Sequence, residues 1–185
     1  MNQEKPILYA DDNTESVLQL LKIRVPVLLI GLALGSLITI VTSRFEEVLQ
    51  HDLRVAFFLP FIVYIADAIG TQTQTIYASD LKTGNAKFHN YLIKESLIGF
   101  FVGLGFGTIS GIASWLWMGS SNLGLAIGLS MFVAILVSPI LALLITQASQ
   151  LLREDPSVEA GPIGTVFQDM ASVVIYGTIC SFILL

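Results

Sequence analysis

Cysteine, charge and histidine are scarce in this sequence. Its 185 residues include one cysteine, Cys180, which excludes an internal disulfide and a metal cage built from cysteines. Only 12% of the residues are charged, about half of the ~25% found in an ordinary soluble domain. Acidic residues outnumber basic ones by 14 to 9, for a net charge of −5, which argues against nucleic acid as a partner. Both histidines, His51 and His89, fall between the long apolar runs.

Long apolar runs dominate the rest of the chain. Hydrophobic residues make up 54% of it, and the mean hydropathy is +0.78. Five runs approach or exceed the ~20 residues that cross a bilayer core. They cover residues 25–43, 54–79, 92–118, 123–150 and 161–185. Because the connections are short, we predict an all-α membrane protein with five transmembrane helices per protomer, forming a single domain over residues 22–185.

Positive charges are distributed unevenly between the two ends of the spans. Residues 1–21 lack the basic start and apolar core of a cleavable signal peptide, and TESVLQLLKIR predicts a short amphipathic helix at the membrane surface. With this segment in the cytoplasm, seven Lys and Arg residues lie inside and two, Arg44 and Arg54, lie outside. The positive-inside rule therefore predicts a multi-pass protein of the cell (inner) membrane, with a cytoplasmic N-terminus and an external C-terminus.

The third span carries a row of glycines spaced four residues apart. They are Gly99, Gly103, Gly107 and Gly111. Without side chains on that face, another helix backbone can approach closely, and van der Waals contact then holds helices that lipid solvates. We therefore predict that these glycines pack helices together and take no part in binding a substrate.

Two carboxylates lie deep inside predicted spans, Asp67 in the second and Asp169 in the fifth. An ionised carboxylate in hydrocarbon costs at least ~2.5–3.5 kcal/mol, so each is expected to face the bundle interior, water or a cation. The alternative for either residue is a protonated acid that is hydrogen-bonded to a neighbouring helix.

Each of these carboxylates belongs to a stripe of neutral polar side chains at helical spacing. On the second span, the stripe and its flank consist of Tyr64, Asp67, Thr71, Gln72, Gln74 and Thr75. On the fifth span, the stripe consists of Thr165, Asp169, Ser172 and Tyr176. Oxygen ligands suit hard cations such as Mg²⁺, Ca²⁺ or Mn²⁺ better than Zn²⁺ or Cu⁺. The two stripes therefore predict the walls of a cation pathway, with Asp67 and Asp169 as its metal-binding residues.

Several segments resemble the membrane domain of the MgtE-type magnesium transporters, whose animal relatives form solute carrier family forty-one. RFEEVL at 44–49 is similar to the family's Phe-Glu segment after its first span. In the second span, the positions that resemble the family's pattern are Pro60, Gly70, Gln72, Thr75 and Leu81. The most specific match is DPSVEAGPIGTVFQDMASVVIY at 155–176, where the Asp-Pro, Gly-Pro, Thr and Asp landmarks keep the family's spacing. The resemblance covers nearly the whole chain from about residue 21.

This resemblance implies a homodimer of five-helix protomers, with an ion path lined by the second and fifth helices. It implies that Asp169 is the pore carboxylate, which binds a largely hydrated Mg²⁺ together with its copy from the other subunit. The chain departs from the family at Asp67-Ala68, where the family has Gly-Asn, so a carboxylate stands one residue before the usual pore amide. We also expect the family's cytoplasmic helical and CBS regions to be missing, since about twenty residues precede the first span.

The leading interpretation is a channel or transporter for a divalent metal cation, with Mg²⁺ as the expected ion and membrane lipid as its surroundings. We expect no cofactor and no enzymatic activity, because the chain has no Ser–His or two-Asp protease motif and no histidine within a span. Two alternatives remain. One is a proton- or Na⁺-coupled carrier for Mn²⁺, Co²⁺ or Ca²⁺, and the other is a non-transporting membrane scaffold held together by glycine packing.

Overall fold

The computed structural model describes residues 16–84, 86–151 and 160–185, and within them the chain forms six helices and no strand. The helices are α1 (Val17–Ser43), α2 (Glu46–His51), α3 (Arg54–Lys82), α4 (Phe88–Met118), α5 (Ser121–Leu151) and α6 (Ala160–Leu184). The last four are long and apolar enough to cross a membrane, and α1 contains a shorter apolar portion, Leu28–Ser43, within the first predicted span. The all-helical membrane fold is therefore confirmed.

The predicted surface segment and the first span belong to one helix where the structure describes them. α1 begins at Val17, and the side chain of Gln19 accepts a hydrogen bond from the Ser16 backbone N–H at 3.0 Å. This bond satisfies one of the amide groups that a helix start leaves without an internal partner. Residues 1–15 lie outside the described residues, so the surface position of segment 1–21 stays a prediction.

α5 is the centre of the bundle. It packs against α3, α4 and α6, and its buried side chains belong to the main hydrophobic cluster. The residues of α5 in that cluster are Leu123, Ala126, Ile127, Met131, Ala134 and Ile135. Many outward-facing side chains are large and apolar, with Phe182 90% exposed and Trp117 74% exposed. Lipid is the solvent in which such a surface is stable.

The glycine row of α4 lies against the backbone of α5. The glycines that approach α5 backbone atoms are Gly99, Gly103, Gly107 and Gly111. A Cβ added to Gly107 would lie 2.6 Å from the carbonyl oxygen of Gly128, and one added to Gly128 would lie 2.8 Å from the carbonyl oxygen of Gly107. The two helices therefore touch through bare main chain, and the partner of this glycine face is a helix of the same protomer.

Polar contacts fix the end of the bundle where α2 leads into α3. Arg54 Nη2 donates to Asp52 Oδ2 at 2.7 Å, and Arg54 Nη1 donates to the carbonyl oxygen of Met118 at 3.1 Å. The hydrogen bond from Arg54 holds the pKa of Asp52 below its usual value. Gly119 ends α4 with a φ of +69°, a left-handed conformation that glycine adopts without the penalty of a Cβ. These contacts join the start of α3 to the end of α4.

Gly107→Ala is expected to lower the free energy of unfolding by about 1–3 kcal/mol, the usual cost of overpacking a tight interface. The added methyl would meet the main-chain oxygen of Gly128, which moves only if α5 moves. Thermal unfolding in detergent micelles measures the loss. Gly105→Ala is the matched control, because no atom from another helix of the described residues lies within 4 Å of a Cβ at Gly105 and alanine is the better helix former. Equal losses in the two variants would contradict the close approach.

Candidate functional site

The two carboxylates that lie deep within spans are on adjacent helices. Asp67 lies near the middle of α3 and Asp169 lies on α6, and both side chains are partly buried. α3 and α6 pack against each other, and the residues directly before the two carboxylates, Ala66 and Gln168, both contact Ser138 of α5. The Oδ1 atom of Asp67 is buried and accepts no hydrogen bond from the described residues. Such an oxygen keeps its capacity to bind a cation or a cation's water.

The neutral side chains of the predicted pore lining divide by exposure. Those exposed are Tyr64, Thr71, Gln72 and Thr75, and those partly buried are Gln74 and Thr165. Thr75 donates to the carbonyl oxygen of Thr71 at 2.8 Å, within its own helix. Gln74 reaches α6, because its Oε1 lies 3.2 Å from the Cβ position at Gly164, the residue before Thr165. The two predicted walls therefore adjoin at this level of the bundle.

Ser172 and Tyr176 are buried inside the protomer. Ser172 Oγ donates to the carbonyl oxygen of Gln168 at 2.9 Å, and Tyr176 Oη donates to the carbonyl oxygen of Val55 at 2.7 Å. Both hydroxyls are thus engaged by backbone of the same chain, and the Tyr176 bond ties α6 to the first turn of α3. Their place in the pore lining stays a prediction.

Gln168 is a buried polar residue that the sequence analysis did not single out. Its side chain is 1% exposed, and its Oε1 accepts a hydrogen bond from Ser138 Oγ of α5 at 3.0 Å. Ser138 Oγ also lies 2.5 Å from the carbonyl oxygen of Ala66 on α3. The helical spacing of the polar stripe does not include Gln168. Neighbouring residues of a helix point about 100° apart, so Gln168 lies on a different face from Asp169. Its position directly before Asp169 was the available signal.

A second polar cluster, also not anticipated, lies toward the end where α3 connects to α4. Thr73, buried on α3, donates to Glu95 Oε2 of α4 at 2.8 Å. Tyr91 donates to Asp80, and the rings of Tyr77 and Tyr91 have their centroids 4.8 Å apart. Glu95 was passed over because it stands near the start of a predicted span, where a carboxylate is ordinarily hydrated. The contact with Thr73 instead makes it part of the packing between α3 and α4.

The donor set of the site suits a hydrated cation. Within the described parts of the chain, no three His, Cys, Asp or Glu side chains gather where they could hold one metal ion. Two carboxylates with neutral polar neighbours supply too few ligands to replace the water around a small hard cation. Mg²⁺ in particular usually keeps several waters. The arrangement offers oxygen ligands, the kind that hard divalent cations prefer.

Known proteins similar to this chain are divalent cation transporters. The family model for MgtE divalent cation transporters matches residues 59–179. The magnesium transporter MgtE of Bacillus subtilis (strain 168) is 27% identical over 152 residues, which cover 80% of this chain and 33% of that protein. The magnesium transporter MgtE of Enterococcus faecalis (strain ATCC 700802 / V583) is 29% identical over 174 residues, which cover 92% of this chain and 38% of that protein. The matched part of the chain thus spans between 33% and 38% of the length of these curated relatives.

Thr73→Val is expected to lower the free energy of unfolding by about 1–3 kcal/mol, because it removes a hydrogen bond to a charged group and leaves a partly buried carboxylate with one partner fewer. Thermal unfolding in detergent micelles measures the effect. Thr108→Val is the matched control, since Thr108 is exposed on α4 and donates within its own helix to the carbonyl oxygen of Leu104 at 2.7 Å. If both variants unfold at the wild-type temperature, the Thr73–Glu95 contact does not hold α3 to α4.

Proposed function

The chain belongs to the MgtE family of divalent cation transporters, and we propose that it carries hydrated Mg²⁺ across a membrane along a path lined by α3 and α6. Members of this family are transporters and not enzymes. The observation that carries the proposal is the pair Asp67 and Asp169, two carboxylates on adjacent helices of an apolar bundle, each directly after a residue that contacts Ser138. Charges placed there are costly unless they face an ion or water.

The ion keeps most of its water in this proposal. Mg²⁺ prefers oxygen ligands in near-octahedral geometry and dehydrates reluctantly. Asp67 and Asp169 supply negative charge, while Gln74 and Thr165, which stand where α3 and α6 adjoin, supply hydrogen-bonding partners for the ion's waters. The charges attract the ion, and the retained hydration shell allows it to leave again.

The membrane potential supplies the driving force. At about 100 mV, inside negative, two positive charges that enter the cell gain roughly 4.6 kcal/mol. With the N-terminus in the cytoplasm, as the positive-inside rule predicts, the ion enters from the end of the bundle that holds α2. It leaves at the end where α3 connects to α4.

A second copy of the chain completes the path. Thr71, Gln72 and Thr75 are exposed on α3, within a helix that is long and apolar enough to span. Polar side chains that face lipid lose the hydrogen bonds they would make with water, so a partner surface or a wet path is the favourable environment for them. Two protomers that meet on this face bring two copies of Asp169 toward one axis. The glycine face of α4 adds nothing to this argument, since α5 already covers it.

Asp169→Asn is expected to abolish divalent cation uptake into proteoliposomes while the protein still folds, because two copies of the carboxylate disappear from one symmetric site. Asp67→Asn is expected to leave measurable uptake and to change the preference among Mg²⁺, Ca²⁺, Mn²⁺ and Co²⁺, since it moves this region back towards the neutral pattern of the family. Competition between these ions during uptake measures both effects.

Glu47→Gln is the matched control for these two variants, because it removes a carboxylate in the same chemical way from an exposed position on α2. Wild-type uptake by this variant is the expected result. The assignment of the ion site is wrong if Asp67→Asn abolishes uptake while Asp169→Asn transports normally. Uptake that follows an imposed pH or Na⁺ gradient would indicate a coupled carrier in place of a channel.

The dimer is testable by counting subunits. Single-molecule photobleaching of fluorescently labelled protein in transporting proteoliposomes is expected to show two bleaching steps, since the path needs two copies of Asp169. Coexpression of wild-type and Asp169→Asn chains is expected to lower uptake more than dilution alone explains. One-step bleaching in vesicles that still transport would contradict the proposal.

A further inference from the structure

One side chain of α6 lies along a row of three residues on α3. Ala66, Gly70 and Gln74 are spaced four apart and therefore share one face of the helix. At the first level, Ser138 Oγ lies 2.5 Å from the carbonyl oxygen of Ala66 and 3.0 Å from Gln168 Oε1. At the second level, the Gln168 amide fills the space beside Gly70. At the third, Gln168 and Gln74 reach the same space beside Gly164.

Gly70 makes room for the amide of Gln168. A Cβ at Gly70 would lie 1.6 Å from Gln168 Oε1 and 2.4 Å from Ser138 Oγ. No side chain fits at this position while the two polar groups stay where they are. Gly70 therefore makes room for a polar side chain, whereas the glycines of α4 make room for the backbone of another helix.

The donors and acceptors around Gln168 complement one another. Ser138 carries one hydroxyl proton and touches two acceptors, one on α3 and one on α6. Gln168 Nε2 is buried and donates to no acceptor among the described residues. It lies 3.9 Å from the Cβ position of Gly164, and the acceptor Gln74 Oε1 lies 3.2 Å from the same point. The two amides therefore approach each other at Gly164, and a water that bridges them would continue the contact along α3.

This polar contact runs directly beside the two carboxylates. Asp67 follows Ala66 on α3, and Asp169 follows Gln168 on α6. Each carboxylate is thus one residue, or about 100°, around its helix from a group in the contact. A slide of α6 along α3 by one residue's rise, about 1.5 Å, would break the contact at Ser138 and change the separation of the carboxylates.

We propose that Gln168, together with Ser138, is a positioning residue that fixes α6 against α3 and so sets the spacing of Asp67 and Asp169 for the transported divalent cation. This inference rests on the proposed function. The neutral amide of Gln168 and the hydroxyl of Ser138 hold the two helices in place, so the carboxylates stay available to the ion. Because Mg²⁺ and Ca²⁺ differ in size, ligand number and tolerance of distorted geometry, a change in spacing alters the preference between them.

The test compares Gln168→Met, Ser138→Ala and the double variant in proteoliposomes. Methionine is unbranched and flexible, as glutamine is, and so can occupy the space beside Gly70 without the amide. Each single variant is expected to raise the apparent KM for Mg²⁺ about fivefold, the effect of one ordinary hydrogen bond. Each is also expected to shift the ratio of Mg²⁺ to Ca²⁺ uptake, with a smaller change in the maximal rate. The double variant is expected to change KM by less than the two single effects combined, because both substitutions break the bond between Ser138 and Gln168.

Ser114→Ala is the control, since Ser114 is an equally buried serine that donates within α4 to the carbonyl oxygen of Ser110 at 2.7 Å. It is expected to keep the wild-type KM and ion ratio. The proposal is overturned if Gln168→Met and Ser138→Ala unfold at a lower temperature but transport with unchanged KM and ion ratio. Should Gln168→Met fail to fold, Ser138→Ala alone decides, because it removes only one hydroxyl.

A separate readout keeps this proposal distinct from the proposed function. Thermal unfolding of the three variants in detergent micelles needs no transport, and a double variant that loses less stability than the two single variants together supports the shared contact. Losses that simply add would overturn it. Absence of any divalent cation uptake by the wild-type protein would defeat the proposed function instead.

Discussion

Helices that lipid solvates gain little hydrophobic free energy by packing together, so this bundle depends on contacts that only close approach can provide. Between α4 and α5 the approach is backbone to backbone, with Gly107 against Gly128. Between α3 and α6 it admits an amide, which Gly70 accommodates. In both interfaces a glycine provides the space by lacking a Cβ, but a different group occupies that space in each. Between α4 and α5, a methyl group added at these glycines would push the two backbones apart. Between α3 and α6, a methyl group added at Gly70 would displace the amide of Gln168.

α5 connects these two interfaces. One of its faces is held by the glycines of α4, and another carries Ser138 between α3 and α6. Because helix backbones are stiff and interiors are densely packed, the position of Ser138 follows the position of α5 as a whole. The geometry beside Asp67 and Asp169 therefore depends on a seam that contains no polar side chain of the site.

The sequence predicted the helices, the two carboxylates and the polar stripes, because composition and a 3.6-residue period are local properties of the chain. It could not predict which helix each face meets. The α4 glycines predicted a helix-packing face without indicating which helix it meets, and the structure places α5 of the same protomer against it. Ser172 and Tyr176 share the face of Asp169 by spacing, yet both are buried against backbone. Gln168 was missed for the converse reason, because its importance comes from Ser138 and Gly70, which lie far away in sequence.

Asp52 and Asp67 differ in how far the protein itself balances their charge. Asp52 is held by Arg54 through short hydrogen bonds, and its lowered pKa reflects a charge that the protein itself balances. Asp67 has a buried oxygen that no donor of the described residues reaches. A carboxylate balanced by arginine has little attraction left for an ion, whereas one that is left unbalanced costs free energy until a cation arrives. Neutral groups such as Gln168 and Ser138 can hold the helices in place without supplying that balance, so position and charge are assigned to different residues.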